Sequence, residues 1–94
     1  MHLIKQLRLI ERVDQLTRLK ATGTPNKLAS RLEISKTTLY RLITAMRDMD
    51  APICYDDKLQ SFVYEEKVAF TFGFHSESKL ISYLGIQGRT FSQN

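Results

Sequence analysis

Five polar side chains recur in one short segment at spacings that place them on one side of a helix: Lys36, Thr37, Tyr40, Arg41 and Thr44. Their ammonium, guanidinium and hydroxyl groups are those that bind phosphate oxygens and the edges of DNA bases. None of them is needed for a hydrophobic core, because the apolar residues of the same segment fall on the opposite side. The segment therefore predicts a helix that offers a polar side to a nucleic acid.

A preceding helix and a short turn must hold that helix in place. Ala29 is small enough to let two helices cross closely, and Ser35 can cap the first free amides of the second helix. The apolar residues that would join the two helices are Leu28, Leu32, Ile34, Leu39 and Leu42. This arrangement is typical of a helix-turn-helix, whose second helix enters the major groove of duplex DNA.

Individual roles follow from the chemistry of each side chain. Arg41 is the candidate for a bidentate contact with guanine, worth about 1–3 kcal/mol of discrimination, and Tyr40 for contact with a thymine methyl or a phosphate. Lys27, Arg31 and Lys58 are candidates for contacts with the flanking backbone, but solvated surface charge explains them equally well. The full set of predicted DNA-binding residues is Lys27, Arg31, Ser35, Lys36, Thr37, Tyr40, Arg41, Thr44 and Lys58.

Size and charge agree with a small protein that binds a polyanion. The chain has 94 residues, of which 43% are hydrophobic, and a formal net charge of +4. Residues 1–50 hold ten Lys/Arg against five Asp/Glu, whereas residues 51–94 hold four against five. The sequence contains neither a long apolar run nor a signal-peptide pattern, and its single cysteine, Cys54, cannot form an internal disulfide. We expect a cytoplasmic, nucleoid-associated protein without a membrane partner.

Three helices are predicted in the first half of the chain. The first runs from residue 3 to about residue 21 and stops at Thr22-Gly23. The second begins at Pro25, after Thr24 as its cap, and ends near Leu32. The third spans about residues 36–49, and its predicted buried residues are Leu39, Leu42, Ile43, Met46 and Met49.

The apolar stripe of the first helix drifts around its axis. Its members advance mostly by three residues, less than the 3.6 of a full turn, so that Leu3, Ile4 and Leu7 point away from Leu16 and Leu19. One small core cannot easily cover both ends. Two explanations are open: either the first end packs against the C-terminal tail or simply frays, or a second subunit contacts it.

An antiparallel hairpin is predicted behind the third helix, with strands at residues 53–56 and 61–64 and a turn at residues 57–60. Large apolar residues then alternate from Val68 to Phe74, which predicts a strand packed on the core or on a neighbouring subunit. We therefore expect one domain over residues 1–74. Residues 75–94 are predicted to be a mobile tail.

Enzyme and metal chemistry find little support. His2 and His75 have no Cys, Asp or Glu at metal-ligand spacing, apart from the weak pair of His75 with Glu77. The adjacent acids at residues 56–57 and 65–66 would point to opposite faces of a strand rather than converge. Phosphate-binding loops and nucleophile motifs are missing. We expect no enzyme activity, no cofactor and no metal.

From about Glu11 to Tyr64 the chain resembles a DeoR-like winged helix-turn-helix, the DNA-binding domain of many bacterial transcriptional regulators. The residues that carry the resemblance are Gly23-Thr24-Pro25, residues 28–32, residues 34–41 and the hairpin of residues 52–64. The family usually has glycine in the turn, where this chain has Glu33. A left-handed backbone at a non-glycine residue costs about 1–2 kcal/mol.

The resemblance implies an α+β fold and a function. A three-helix core would be followed by a β-hairpin wing, with the third helix in the major groove and the wing on the flanking backbone. It implies sequence-specific binding of double-stranded DNA and regulation of transcription. A homodimer is expected through Leu3, Ile4 and Leu7 or through the Val68–Phe74 strand. The alternative function is a winged helix that mediates protein–protein assembly without binding DNA.

Overall fold

The computed structural model describes residues 2–70 of the chain. Three helices come first: α1 at Leu3–Arg18, α2 at Pro25–Leu32 and α3 at Lys36–Asp48. Two antiparallel strands follow, β1 at Ile53–Asp56 and β2 at Ser61–Tyr64, with Ile53 opposite Tyr64. The predicted α+β fold of three helices and a hairpin is confirmed at this level. None of the described helices has the length and apolar character needed to cross a membrane.

The described residues include only the first part of the third predicted strand. Residues 68–70 belong to neither a helix nor a strand, so this part of the predicted Val68–Phe74 strand is wrong. Phe70 is partly buried and packs against the core. The remainder of that segment and the predicted tail, residues 75–94, lie outside the described residues.

Helix α1 ends at Arg18, three residues before the predicted end. Lys20 takes a left-handed backbone with φ 55°. Its N–H donates to the carbonyl of Thr17 at 3.0 Å, and the N–H of Ala21 donates to that of Leu16 at 2.9 Å. These two bonds are a Schellman motif, which satisfies the last carbonyls of a helix and reverses the chain. The prediction of a stop at Thr22-Gly23 was wrong because a non-glycine residue supplies the left-handed turn.

The same ending recurs at α2 and α3. Glu33 has φ 59° and Asp50 has φ 70°. After α2, the N–H of Ile34 donates to the carbonyl of Ala29 at 3.0 Å. In the described part of the chain, all three helices therefore end on a left-handed residue that is not glycine, and each of these residues carries backbone strain.

Replacing Glu33 with glycine is expected to stabilise the fold. Glycine adopts this backbone without the penalty of about 1–2 kcal/mol that a side chain incurs, and the gain in the free energy of unfolding should be about 1 kcal/mol. Urea denaturation followed by circular dichroism measures it. Glu33→Ala is the control, because it removes the same charge and keeps the strain. Equal stability of the glycine and alanine variants would contradict the prediction.

The hydrophobic core joins all five elements. Its buried residues are Ile10, Val13, Leu28, Ala29, Leu39, Leu42, Ile43, Met46, Ile53 and Phe62. Met49, a predicted buried residue, is 50% exposed instead, and Leu19, a member of the apolar stripe of the first helix, is 73% exposed. Both follow the last residue of their helix, where the chain turns into the left-handed ending and the helical period no longer applies. Leu3 and Ile4, at the first end of this stripe, are also exposed.

Two buried hydroxyls fasten the hairpin to the loop between α1 and α2. The Thr22 N–H donates to Ser61 Oγ at 3.1 Å, and the Phe62 N–H donates to Thr22 Oγ1 at 2.8 Å. The two hydroxyls also lie 3.1 Å apart. These bonds replace strand pairing on this edge of β2 and hold the hairpin against the helices.

A buried carboxylate makes a second link between the hairpin and α1. Asp14 is only 4% exposed. Its carboxylate accepts a hydrogen bond from the Tyr64 hydroxyl at 2.7 Å and another from Arg18 Nε at 3.0 Å. Burial, together with the adjacent Asp14 carboxylate, raises the pKa of the Tyr64 phenol well above its ordinary value. A charge is tolerated in this core because two donors bind it.

Candidate nucleic-acid interface

The first turn of α3 is capped as the sequence predicted. Ser35 precedes the helix in extended backbone, and its Oγ accepts the N–H of Thr38 at 3.0 Å. Ser35 Oγ also donates to Thr38 Oγ1 at 3.0 Å. The other early amides of α3 point out of the helix start, where Ser35 and Lys36 are exposed. A helix start of this kind favours an anionic group through its dipole and its free N–H donors.

Helix α3 separates its buried side from its polar side. The buried side consists of Leu39, Leu42, Ile43 and Met46. The five polar side chains that were predicted to face a nucleic acid are all exposed: Lys36, Thr37, Tyr40, Arg41 and Thr44. Tyr40 and Arg41 are therefore accessible to a ligand as far as the described residues extend.

Most of the predicted helix contacts share one shallow surface depression. It is lined by Thr37, Tyr40, Arg41, Thr44, Ala45 and Asp48. Ala45 and Asp48 were absent from the predicted site, although each lies four residues after a predicted member and so continues the same helical row. The depression thus combines donors, hydroxyls, a small apolar side chain and one carboxylate, which are the groups that read base edges in a major groove.

An aromatic pair stands beside this depression on the hairpin. The ring centroids of Tyr55 and Phe62 are 5.2 Å apart, and the rings meet edge to face at 70°. Burial raises the pKa of the Tyr55 phenol, with smaller effects from the Asp57 and Asp56 carboxylates and from Tyr40. Since Phe62 is buried, the pair anchors β1 in the core next to the exposed Tyr40.

The three predicted backbone-contacting cations lie outside the depression. All three are exposed: Lys27 in the first turns of α2, Arg31 in its last turn and Lys58 in the hairpin turn. Arg31 already has a structural role, because its Nη1 donates to the Ala21 carbonyl at 3.0 Å. Asp56 shapes the hairpin turn by accepting the N–H of Lys58 at 2.8 Å.

Arg47 has a role that the sequence did not predict. Its Nε donates to the carbonyl of Ile53 at 3.2 Å, so it ties the last turn of α3 to the start of β1. The bond helps to set the position of the hairpin relative to the exposed side of α3.

Residues 2–70 contain no group of three His, Cys, Asp or Glu side chains arranged to hold a metal ion. What these residues present is a capped, braced helix with an exposed row of hydrogen-bonding side chains beside a short hairpin. No protein-family model, curated protein or solved structure matches this chain.

Proposed function

We propose that this protein binds double-stranded DNA sequence-specifically and regulates transcription, as a winged helix-turn-helix of the DeoR-like kind. In this proposal α3 enters the major groove, and the β1–β2 hairpin is the wing on the flanking backbone. The observation that carries the proposal is the exposed polar row of α3, with Arg41 at its centre, opposite a fully buried apolar side. A bacterial cytoplasmic location at the nucleoid belongs to the same proposal.

The bracing of α3 supports this use. Helix α2 packs against α3 through Leu28 and Ala29, which are both buried. The left-handed backbone of Glu33 turns the chain so that α3 crosses α2. A rigid pair of helices keeps the first turns of α3 clear of the rest of the protein. Because such a helix is ordered before it binds, contact with base edges does not carry the free-energy cost of ordering it.

Most of the predicted DNA-binding residues then have a defined contact. The start of α3, with Lys36 beside it, binds a phosphate. Arg41 donates two hydrogen bonds to a guanine, and Tyr40 and Thr44 contact neighbouring base edges or a thymine methyl. Lys27 and Lys58 bind phosphates on either side, and Arg31 can do so with the nitrogens that do not bond to Ala21.

Duplex binding across a series of salt concentrations tests the proposal. Fragments selected from a random duplex pool supply the probe, and fluorescence anisotropy measures the affinity. If Lys27, Arg31, Lys36 and Lys58 each contact a phosphate, the logarithm of the binding constant should fall with the logarithm of salt with a slope of about −4. Failure to bind any duplex better than about 10⁻⁴ M at physiological salt would contradict DNA binding.

Protein–protein assembly is the alternative function. The observation that favours it is the exposure of Leu3 and Ile4, two large apolar side chains, in the first turn of α1. A protein used only for assembly would show no salt-dependent duplex binding and no effect of changes on α3. The salt series therefore separates the two functions.

A further inference from the structure

We propose that α1 pairs with α1 of a second copy of this chain, antiparallel about a two-fold axis near Leu7, so that Leu3 of each copy enters an apolar cavity beside Ile10 of the other. The cavity and the inserted side chain lie on the same surface of the protein. A two-fold pair needs such self-complementarity. This inference does not depend on DNA being the ligand.

The cavity lies between α1, the end of α3 and the segment after β2. Its volume is about 300 Å³, and its walls include Ile10, Met46, Met49, Asp50, Val68 and Phe70. Met49 is half-exposed, so the cavity opens to the surface at the end of α3. An apolar space of this size is large enough for several hydrocarbon groups. Filling it with an apolar side chain is favourable because its walls lose their contact with water.

The first turns of α1 continue the side of the helix that faces the core. Leu3, Leu7 and Ile10 are four and three residues apart, which places them on one side of the helix. Ile10 is buried, whereas Leu3 is 67% exposed. Their positions differ by seven residues, which corresponds to about 10 Å along the axis. Leu3 is therefore too far from the cavity of its own chain to fill it.

A two-fold axis near Leu7 removes this mismatch. In an antiparallel pair centred there, residue 4 of one helix lies opposite residue 10 of the other, and residue 3 lies opposite residue 11. Leu3 is about 6 Å from Leu7 along the axis, and so is Glu11 on the other side. Leu3 and Ile4 of the second copy therefore arrive beside Ile10, at the entrance to the cavity.

Charge favours the same arrangement. Residues 2–10, which include the start of α1, contain no acid. The helix start itself has a positive potential. Opposite it the second copy presents Glu11, on α1, and Asp50, in the cavity wall. Two parallel first turns would instead bring like charges together.

The expected dimer is weak. Each copy inserts only a few large apolar side chains, so we expect a contact smaller than the roughly 800 Å² per partner of a standard stable interface. We expect a dimer with a dissociation constant of roughly tens of micromolar rather than a permanent dimer. Sedimentation equilibrium over a range up to several hundred micromolar should show the mass rising from 10.9 kDa towards twice that value.

Leu3→Asp should shift the association midpoint at least tenfold to higher concentration. Leu19→Asp is the matched control, because Leu19 is a similarly exposed leucine that directly follows the other end of α1. That variant should associate like the wild type. A wild type that stays monomeric throughout, or a dimer that Leu3→Asp leaves intact, would overturn the proposal. If the wild type is a monomer and Leu3→Asp destabilises it, Leu3 packs within its own chain, against the C-terminal segment. That result would also overturn the proposal.

Disulfide cross-linking locates the contact independently of affinity. In a Cys54→Ser background, chains carrying Leu3→Cys are mixed with chains carrying Met49→Cys and oxidised. A cross-linked pair is expected, because Met49 lies in the wall of the cavity that Leu3 enters. Arg12→Cys, exposed on the opposite side of α1, should not cross-link to Met49→Cys. Equal cross-linking of both mixtures would refute the assigned geometry.

Discussion

Replacing Arg41 with alanine is expected to weaken binding to the selected duplex by about 1–3 kcal/mol, which is roughly fivefold to 150-fold. Arg41 is exposed near the middle of the polar row of α3 and lines the depression there. Its planar guanidinium can donate two hydrogen bonds to one guanine, a contact that no other base reproduces. The variant should therefore also discriminate less at one base pair. Anisotropy titrations with the selected duplex and with a single guanine changed measure both effects.

Two further variants separate base reading from general attraction to DNA. Arg12→Ala removes the same charge from an exposed site on α1 and should leave affinity nearly unchanged. Lys36→Ala should weaken binding to all sequences about equally and make the salt slope shallower by about 1. Wild-type affinity and specificity in Arg41→Ala would contradict the proposed role of α3.

Replacing Tyr64 with phenylalanine is expected to lower the free energy of unfolding by about 1–3 kcal/mol. The lost hydroxyl donates at 2.7 Å to Asp14, a carboxylate that is almost completely buried. Without it, that charge keeps the bond from Arg18 Nε and loses a charge-assisted partner. Urea denaturation at neutral pH measures the change. Tyr40→Phe is the control: it removes a hydroxyl from an exposed ring and should change stability by less than about 0.5 kcal/mol.

The pH dependence supplies a second readout for Tyr64. In the unfolded chain its phenol loses a proton near pH 10, whereas the raised pKa in the folded protein keeps it protonated there. Below pH 10 both states hold the proton and the contribution of Tyr64 to stability is complete. Above pH 10 the unfolded state binds fewer protons, so this contribution falls as the pH rises. The stability difference between wild type and Tyr64→Phe should be constant from pH 7 to about pH 9 and shrink above pH 10. A difference of zero at neutral pH would contradict the assigned bond.

Local signals were sufficient to predict most elements. The predicted strands at residues 53–56 and 61–64 agree with the structure, as do the start and end of α2. A capping residue acts on amides within three residues, and hydrophobic period is read over one or two turns. The exposed side of α3 follows from the same hydrophobic period. All five polar residues predicted on that side therefore lie on the surface.

The ends of the helices were harder to predict. Lys20, Glu33 and Asp50 each adopt the left-handed backbone that usually signals glycine. The residue types at these positions do not predict a left-handed backbone. Its cost is offset by the surrounding chain and by the hydrogen bonds to the last carbonyls of each helix. Leu19 and Met49 were consequently assigned to helical periods that had already ended.

The sequence by itself determined the order of the elements, the amphipathic helix α3 and its row of DNA-binding candidates. Only the tertiary structure decided that Asp14 is buried, that Thr22 binds Ser61, and that Arg47 holds the start of β1. The partners Asp14 and Tyr64 are 50 residues apart along the chain, and Thr22 and Ser61 are 39 apart. Periodicity and capping act between near neighbours, whereas the energy of a buried polar group depends on which distant donor or acceptor the fold brings to it.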